Sequence, residues 1–320
     1  MAALADTARP GWRVAVFGAS SRMGQAQVRE LRRRGLVPRA VTRQAHVFAD
    51  AGIDGLDVQP ADFDDPATLD TVMAGMDAVL FQAPSFGEPP DVRRQCANVR
   101  DAALRAGIAR FVFNTTTWIP DDPPCGEPWY DHMRGVEDML TNSALPLTVV
   151  RPVLLMDNLL TLFARPALVE EGVFRYCHPP GMRASWIASE DIARFMVEAL
   201  FRPDLIGEKL TLGGPEVIRT EELCAILTRA LGKPIRHEYV PPRAFGELMY
   251  PKVGDLFADG TAFADHFDSF YGFNISSPLR PFEVDMAPLL ARMPIAMVRL
   301  EDWATRQDWR HAAAVGSTSG

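Results

Sequence analysis

The chain has 320 residues, 48% of them hydrophobic and 23% charged, which excludes a disordered polar chain. Its 23 glycines and 26 prolines follow no period, which excludes a collagen-like or low-complexity one. The formal net charge of −8 does not favour binding to a phosphate backbone, which needs a positive patch, so direct nucleic-acid binding is not expected.

Arg13–Phe17 (RVAVF) is an apolar run ending at a glycine and reads as a strand. Gln25–Arg34 is helix-like and closes at Gly35, a C-cap residue; its Arg32–Arg34 run reads as a solvated helix face. Val37–Thr42 is a second strand. Ala67–Ala74 is a short helix opened by Asp64, Asp65 and Pro66. Ala78–Gln82 is another buried strand. Asp91–Ala106 is amphipathic, with Val92, Cys96, Val99, Ala103 and Leu104 apolar; that face packs on its own sheet or on a partner, as in a homodimer. Phe111–Phe113 begins a strand, Trp129–Leu140 a helix, and Leu147–Val150 is extended. Strands apolar throughout, alternating with helices, imply βαβ units and a doubly wound parallel α/β sheet covered on both faces.

Residues 1–153 are therefore expected to form one such domain. The rest is less regular. Ser189–Leu200 is helical, Lys209–Leu212 reads as a last strand returning to the sheet near 208–213, and Glu221–Leu231 is a helix ending at Gly232. Pro241–Pro281 is loop-rich and aromatic (Phe245, Tyr250, Phe257, Phe263, Phe267, Phe270, Tyr271, Phe273), either a core of short helices or an apolar wall facing a substrate. Residues 154–320 are expected to be mainly a smaller, mostly helical substrate lobe, with a disordered tail at 311–320. Cys96, Cys125, Cys177 and Cys224 form no C-x-x-C pair and read as reduced thiols. The histidines are dispersed, so no metal is expected. The absence of a secretory leader or an 18-residue apolar run points to a cytoplasmic chain without a membrane partner.

The sharpest motif is Gly18-Ala19-Ser20-Ser21-Arg22-Met23-Gly24, between the first strand and its helix. Gly18 permits a tight turn and Gly24 a close approach of helix to strand. The N–H groups opening the helix suit a dinucleotide pyrophosphate. Ser21 stands where a middle glycine is usual; its hydroxyl either donates to a phosphate or crowds the cofactor. The second strand ends in Val41-Thr42-Arg43 with no acidic residue for a ribose hydroxyl, so Arg43, with Arg22 in the turn, points to the 2′-phosphate of NADP(H). Ligands bind at the carboxyl ends of parallel strands, which adds Gln82, Ala83 and Thr115 to the cofactor set.

These segments resemble the NmrA-like group of atypical short-chain dehydrogenase/reductases, over roughly Arg13 to Trp309. Ala61-Asp62-Phe63-Asp64 resembles that family's third-strand signature, which places Asp62 and Phe63 near the adenine. Phe111–Thr116, Leu147–Pro152 with Asn158, Trp186–Ala193 and Leu212–Glu216 are similar to later family segments. The resemblance implies a Rossmann-like domain with a smaller C-terminal substrate lobe, and NADP(H) binding. The group holds quinone, enone and aromatic-alcohol reductases as well as regulators that bind cofactor without turnover.

Short-chain dehydrogenases commonly pair a Tyr with a Lys four residues on. Here Tyr130 has that spacing to Arg134, and arginine cannot shuttle a proton near neutral pH. The expected roles are Tyr130 as proton donor, Arg134 as ribose and charge partner, and Thr116 as orienter of the substrate oxygen. His132 is a rival acid/base that faces away from Tyr130 on a regular helix. Structural roles for Tyr130, His132 and Thr115–Thr117 stay open. The expected function is an NADP(H)-dependent oxidoreductase acting on a small apolar or aromatic carbonyl, enone or quinone. The alternatives are a non-catalytic NADP(H) sensor working through a protein partner, and a non-redox isomerase, cyclase or lyase. Specificity is expected in Ser85–Pro90, Trp118–Trp129, Leu155–Tyr176 and Pro241–Phe273.

Overall fold

A computed structural model describes residues 7–42, 46–50, 53, 55–84, 89–121, 124–253 and 259–309. Arg43, Ser85–Glu88, Phe257 and the tail 311–320 lie outside these residues. Along β1 (Arg13–Phe17), Val14 and Val16 enter one core layer while Ala15 and Phe17 enter another. A strand apolar on both faces needs a helix layer on each side.

The chain continues through α1 (Arg22–Arg33), β2 (Val37–Val41), α2 (His46–Asp50), β3 (Asp57–Gln59), α3 (Pro66–Met73) and β4 (Ala78–Gln82). Next come α4 (Pro89–Ala106), β5 (Arg110–Asn114), α5 (Pro128–Thr141), β6 (Leu147–Pro152) and β7 (Leu154–Leu155). Then follow β8 (Val173–Tyr176), β9 (Arg183–Ala184), β10 (Trp186–Ile187), α6 (Ser189–Leu200), β11 (Lys209–Leu212) and β12 (Ile218–Arg219). The chain closes with α7 (Thr220–Leu231), β13 (Arg236–Tyr239), α8 (Pro242–Val253), α9 (Gly260–Ser276), α10 (Ala287–Arg292) and α11 (Leu300–Thr305).

The central sheet has seven strands in the order β3-β2-β1-β4-β5-β6-β11, all parallel. The order reverses between β1 and β4, where doubly wound sheets bind ligands. Val28 and Leu31 of α1 share one layer with Ile192 and Met196 of α6. Leu69 and Val72 of α3, Val99 of α4 and Val136 of α5 fill the opposite layer. The apolar stripe of α4 thus meets its own sheet. Two elements beyond residue 153, α6 and β11, complete this first unit.

The second core joins Tyr176, Trp186, Phe245, Phe263, Tyr271, Phe282 and Trp303. Here the loop-rich reading of Pro241–Pro281 is corrected: most of the described stretch is α8 and α9. Phe263, Phe267, Phe270, Tyr271 and Asn274 recur every three or four residues and line one side of α9. Asp259 caps that helix by accepting from the Thr261 N–H.

Four charged side chains, Arg110, Glu137, Arg151 and Asp191, are buried in the sheet layers, each with partners. Arg110 Nη2 donates to the carbonyls of Ala199 (2.5 Å) and Arg202 (2.6 Å) at the end of α6, where the helix dipole is negative. Arg151 Nε and Nη2 each lie 2.7 Å from the Glu137 carboxylate, which Lys209 Nζ also approaches at 2.5 Å. Burial pushes the Glu137 carboxyl up, but Arg151 and Lys209 outweigh it and hold it below the usual range. Asp191, wholly buried at the start of α6, accepts from Val298 N–H and Arg194 Nη1, both at 2.8 Å.

Two measurements follow. Arg151→Met leaves a buried carboxylate beside Lys209 alone and is expected to lose about 3–5 kcal/mol in urea unfolding. The Glu137→Leu/Arg151→Met pair should recover more than half of that loss. Burial pushes the Asp191 carboxyl up to about 6, against an unfolded value of about 3.9. Its contribution to stability is therefore full below about pH 4 and lost as pH rises through about 6. The unfolding midpoint of Asp191→Asn, relative to the parent, is expected to climb between these pH values.

Candidate cofactor and active site

The turn after β1 is built on backbone proximity. Gly18 has φ +67°, and a Cβ there would sit 2.3 Å from Gln82 Nε2. A Cβ on Gly24 would lie 2.3 Å from the Gly18 carbonyl oxygen and 2.5 Å from Ala19 Cα, so no side chain fits. Ser21 is the N-cap of α1. Its Oγ accepts from the Gly24 N–H (3.0 Å) and donates to the Gly18 carbonyl (2.8 Å). The serine hydroxyl is thus turned into the loop, bracing it without pointing its proton outward. Gln82 Nε2 adds a third bond to Ser21 Oγ, at 3.1 Å.

The N–H groups of Arg22 and Met23 open α1 at its positive end, ahead of the helix's own carbonyl ladder. Ser20 is buried, and its Oγ accepts from Thr42 Oγ1 at 2.9 Å, which joins the turn to the end of β2. The Met23 thioether accepts from Asn114 Nδ2 at 2.8 Å, which ties α1 to the end of β5. Arg22 is half-buried beside the turn. This Cβ-free cradle fits a dinucleotide pyrophosphate at the point where the strand order reverses. On the cradle's flank, Asp62 is exposed just past β3 and accepts from the Asp64 N–H at 2.9 Å. Phe63 packs with Phe17 and Phe81, each at 5.9 Å. The Ala83 N–H donates to the Asn114 carbonyl at 2.9 Å.

The end of β5 is strained. Thr116 has φ +59°, a region a β-branched residue rarely enters and that costs about 1–3 kcal/mol. Its N–H donates to Asn114 Oδ1 (2.8 Å), and its hydroxyl to the Thr115 carbonyl (2.6 Å). Thr115 is fully buried, with its hydroxyl donated to the Thr117 carbonyl at 2.6 Å.

Tyr130 and Arg134 sit on one side of α5 but engage different partners. The Tyr130 hydroxyl donates to Asn274 Oδ1 of α9 at 2.7 Å. Its ring has no exposed surface and lies 5.1 Å from both Trp118 and Phe270. Burial pushes its phenol well above the ordinary value, and the Asn274 bond offsets only part of that. Arg134 Nη2 donates to the Pro120 carbonyl, in the loop after β5. The Tyr130 hydroxyl and the Arg134 guanidinium are thus each bonded to a different neighbouring segment, α9 and the loop after β5. His132 lies half-buried beside Trp129, 5.7 Å away; burial first, then Arg93, lowers its pKa.

Sequence reasoning missed Asn274; it placed Trp118 and Glu127 within the expected specificity segment Trp118–Trp129 without giving either a role. Asn274 had a signal, as a lone polar residue in the apolar series of α9. Glu127 precedes Pro128, which occupies the first helical position of α5. It is buried as the N-cap, accepts from the Tyr130 N–H at 2.9 Å, and burial raises its carboxyl. Among the described residues no group of three or more His, Cys, Asp or Glu is placed to hold a metal ion. No described helix is long and apolar enough to cross a membrane.

Gly24→Ala is expected to weaken NADPH binding at least tenfold in a calorimetric titration, because the added methyl must push α1 off the turn. Unchanged affinity would show that the cradle is not the binding element.

Comparison with known proteins adds independent findings. Residues 11–288 match the model of the NmrA-like family. The chain is 29% identical over 225 residues to an NAD(P)H azoreductase of Xenophilus azovorans, covering 70% of this chain and 76% of that protein. It is 30% identical over 225 residues to a (4-alkanoyl-5-oxo-2,5-dihydrofuran-3-yl)methyl phosphate reductase of Streptomyces griseus, with the same coverages of 70% and 76%. Among solved structures, an NADPH-dependent quinone oxidoreductase of Escherichia coli in complex with NADPH superposes with a TM-score of 0.72. That match has 21% identity and covers 91% of this chain and 98% of the other, a likeness of fold.

Proposed function

This chain belongs to the NmrA-like family, and on that footing we propose that it is an NADP(H)-dependent reductase of a small apolar or aromatic quinone, enone or carbonyl. The observation that carries the reading is the close-packed glycine turn at Gly18 and Gly24, set at the point where the strand order of the parallel sheet reverses. The names of the two reductases of similar sequence support the same class.

When bound, a reduced nicotinamide supplies a hydride. Gly18, Ser20, Arg22, Met23 and Gly24 would hold the pyrophosphate, with Ser21 bracing their turn from within. Arg22 and Arg43 would take the 2′-phosphate. Asp62 and Phe63 would flank the adenine, and Gln82, Ala83 and Thr115 the nicotinamide end. Thr116 would orient the acceptor oxygen. Tyr130 is a neutral phenol already donating to Asn274. Because its ring has no exposed surface and burial disfavours its phenolate, it would support the acceptor space from behind, and solvent would supply the proton. His132 stands behind it on another face of α5.

A second reading, a cofactor-binding sensor without turnover, is favoured by one observation: the same sealing of Tyr130.

The test monitors the loss of NADPH absorbance with a quinone and with an azo dye. Acceptor-dependent NADPH oxidation is expected, with NADH at least tenfold less effective in kcat/KM. Arg22→Ala and Arg43→Ala should weaken NADPH more than NADH. Tyr130→Phe should keep kcat within about threefold; a hundredfold loss would restore Tyr130 as the proton donor. Tight NADPH binding with no oxidation by any acceptor would overturn the reductase in favour of the sensor. Turnover without a change in NADPH absorbance would mark a non-redox reaction.

A further inference from the structure

We propose that Arg134, Arg151 and Asp121 are positioning residues that clamp the 116–121 loop into a fixed wall of the acceptor site. This rests on the site described above only in calling the loop an acceptor wall. The clamp itself is a matter of contacts.

Six consecutive residues are tied down. Thr116 is pinned in its strained conformation by Asn114 Oδ1, and the Thr117 carbonyl takes the Thr115 hydroxyl. Trp118 sets its ring edge against Tyr130, and Ile119 is buried in the core beneath α5. The Pro120 carbonyl takes Arg134 Nη2, and Asp121 Oδ1 takes Arg151 Nη1 at 2.5 Å. Helix α5 therefore grips the loop twice, through the Tyr130 ring and through Arg134 one turn later.

The Asp121–Arg151 contact differs from an ordinary surface pair. Asp121 is 84% exposed, and exposed pairs contribute about 0–1 kcal/mol because two mobile side chains must be ordered. Arg151, at 1% exposure, is already fixed by two bonds to Glu137, so its remaining Nη1 is held in place to receive a partner. The charges also ask for that partner. Glu137 faces two cations, Arg151 and Lys209, with Asp138 only at 4.0 Å from Lys209. Asp121 adds a negative charge where Arg151 reaches the surface. The loop leaves the carboxyl end of β5, where parallel sheets bind ligands, so fixing it fixes the shape offered to an acceptor.

The variants are Asp121→Ala, Arg134→Ala and Arg134→Lys. Three readouts are hydrogen exchange of the amides at 116–121, the calorimetric Kd for NADPH, and kcat and KM for a small and a bulky quinone. Asp121→Ala and Arg134→Ala should each speed exchange in this segment at least tenfold and leave NADPH Kd within twofold. They should raise the quinone KM about fivefold or more, with kcat changed less. Arg134→Lys retains a donor for the Pro120 carbonyl and should return exchange to within threefold of the parent. If exchange stays at the parental rate in both alanine variants, the clamp is refuted. If Arg134→Ala weakens NADPH tenfold without faster exchange, Arg134 is a cofactor ligand and the clamp is equally refuted. Exchange needs no turnover, so it decides the clamp even if no acceptor is reduced.

Discussion

A parallel sheet buried on both faces has only its strand ends to offer a ligand. Here Val14 and Val16 belong to one helix layer and Ala15 and Phe17 to the other, and β4 and β5 divide in the same way. The polar groups of the candidate cofactor site are thereby gathered at the carboxyl edge, in the loops after β1, β2, β3, β4 and β5. The reversal of strand order between β1 and β4 opens a crevice along that edge. The Gly18–Gly24 turn forms one side of the crevice. The loop at 115–121 and the first turn of α5 form the next stretch.

Buried charges stand at both edges of the sheet. Arg110 closes the end of α6 at the amino edge, and Arg151 with Glu137 links the carboxyl end of β6 to α5. Such buried ions contribute little net stability over apolar replacements, because desolvation offsets their attraction. What they do add is direction. A guanidinium bound on two sides leaves its third side aimed at one place, and for Arg151 that place is the loop after β5. The strain at Thr116 persists because so many neighbours fix the same loop.

How much of this was legible in the sequence depended on how local the cause was. Most strands and helices up to residue 153 were readable, because uniformly apolar runs punctuated by glycine have few alternatives; α2 and the half-buried three-residue β3 carry no such run and were not. Gly18 and Gly24 were readable as well, since the need for a missing Cβ is set within seven residues. The outcome at Ser21 was not: its hydroxyl was expected to meet a phosphate or obstruct it, whereas its position as N-cap turned it into the loop. In Pro241–Pro281 the bounding prolines and scattered glycines masked a helical period in the aromatic residues. Tyr130 was legible as a candidate but not in its environment, because its partner Asn274 lies 144 residues further along the chain. Spacing within one helix reports which residues share a face; it does not report what that face meets.

The same distinction explains why arginine suits position 134. A lysine serving a tyrosine acid must approach the phenol and lower its pKa, and it must itself stay near a proton-exchanging range. In this fold the phenol is enclosed by Trp118, Phe270, Phe273 and Asn274, and burial drives its pKa the other way. A lysine four residues on would bring one compact charge beside a phenol whose burial disfavours ionisation. Arginine, permanently charged and with several donors in a fixed plane, can instead hold a backbone carbonyl, as it holds that of Pro120. Enclosure of the tyrosine and replacement of the lysine are thus two aspects of one arrangement.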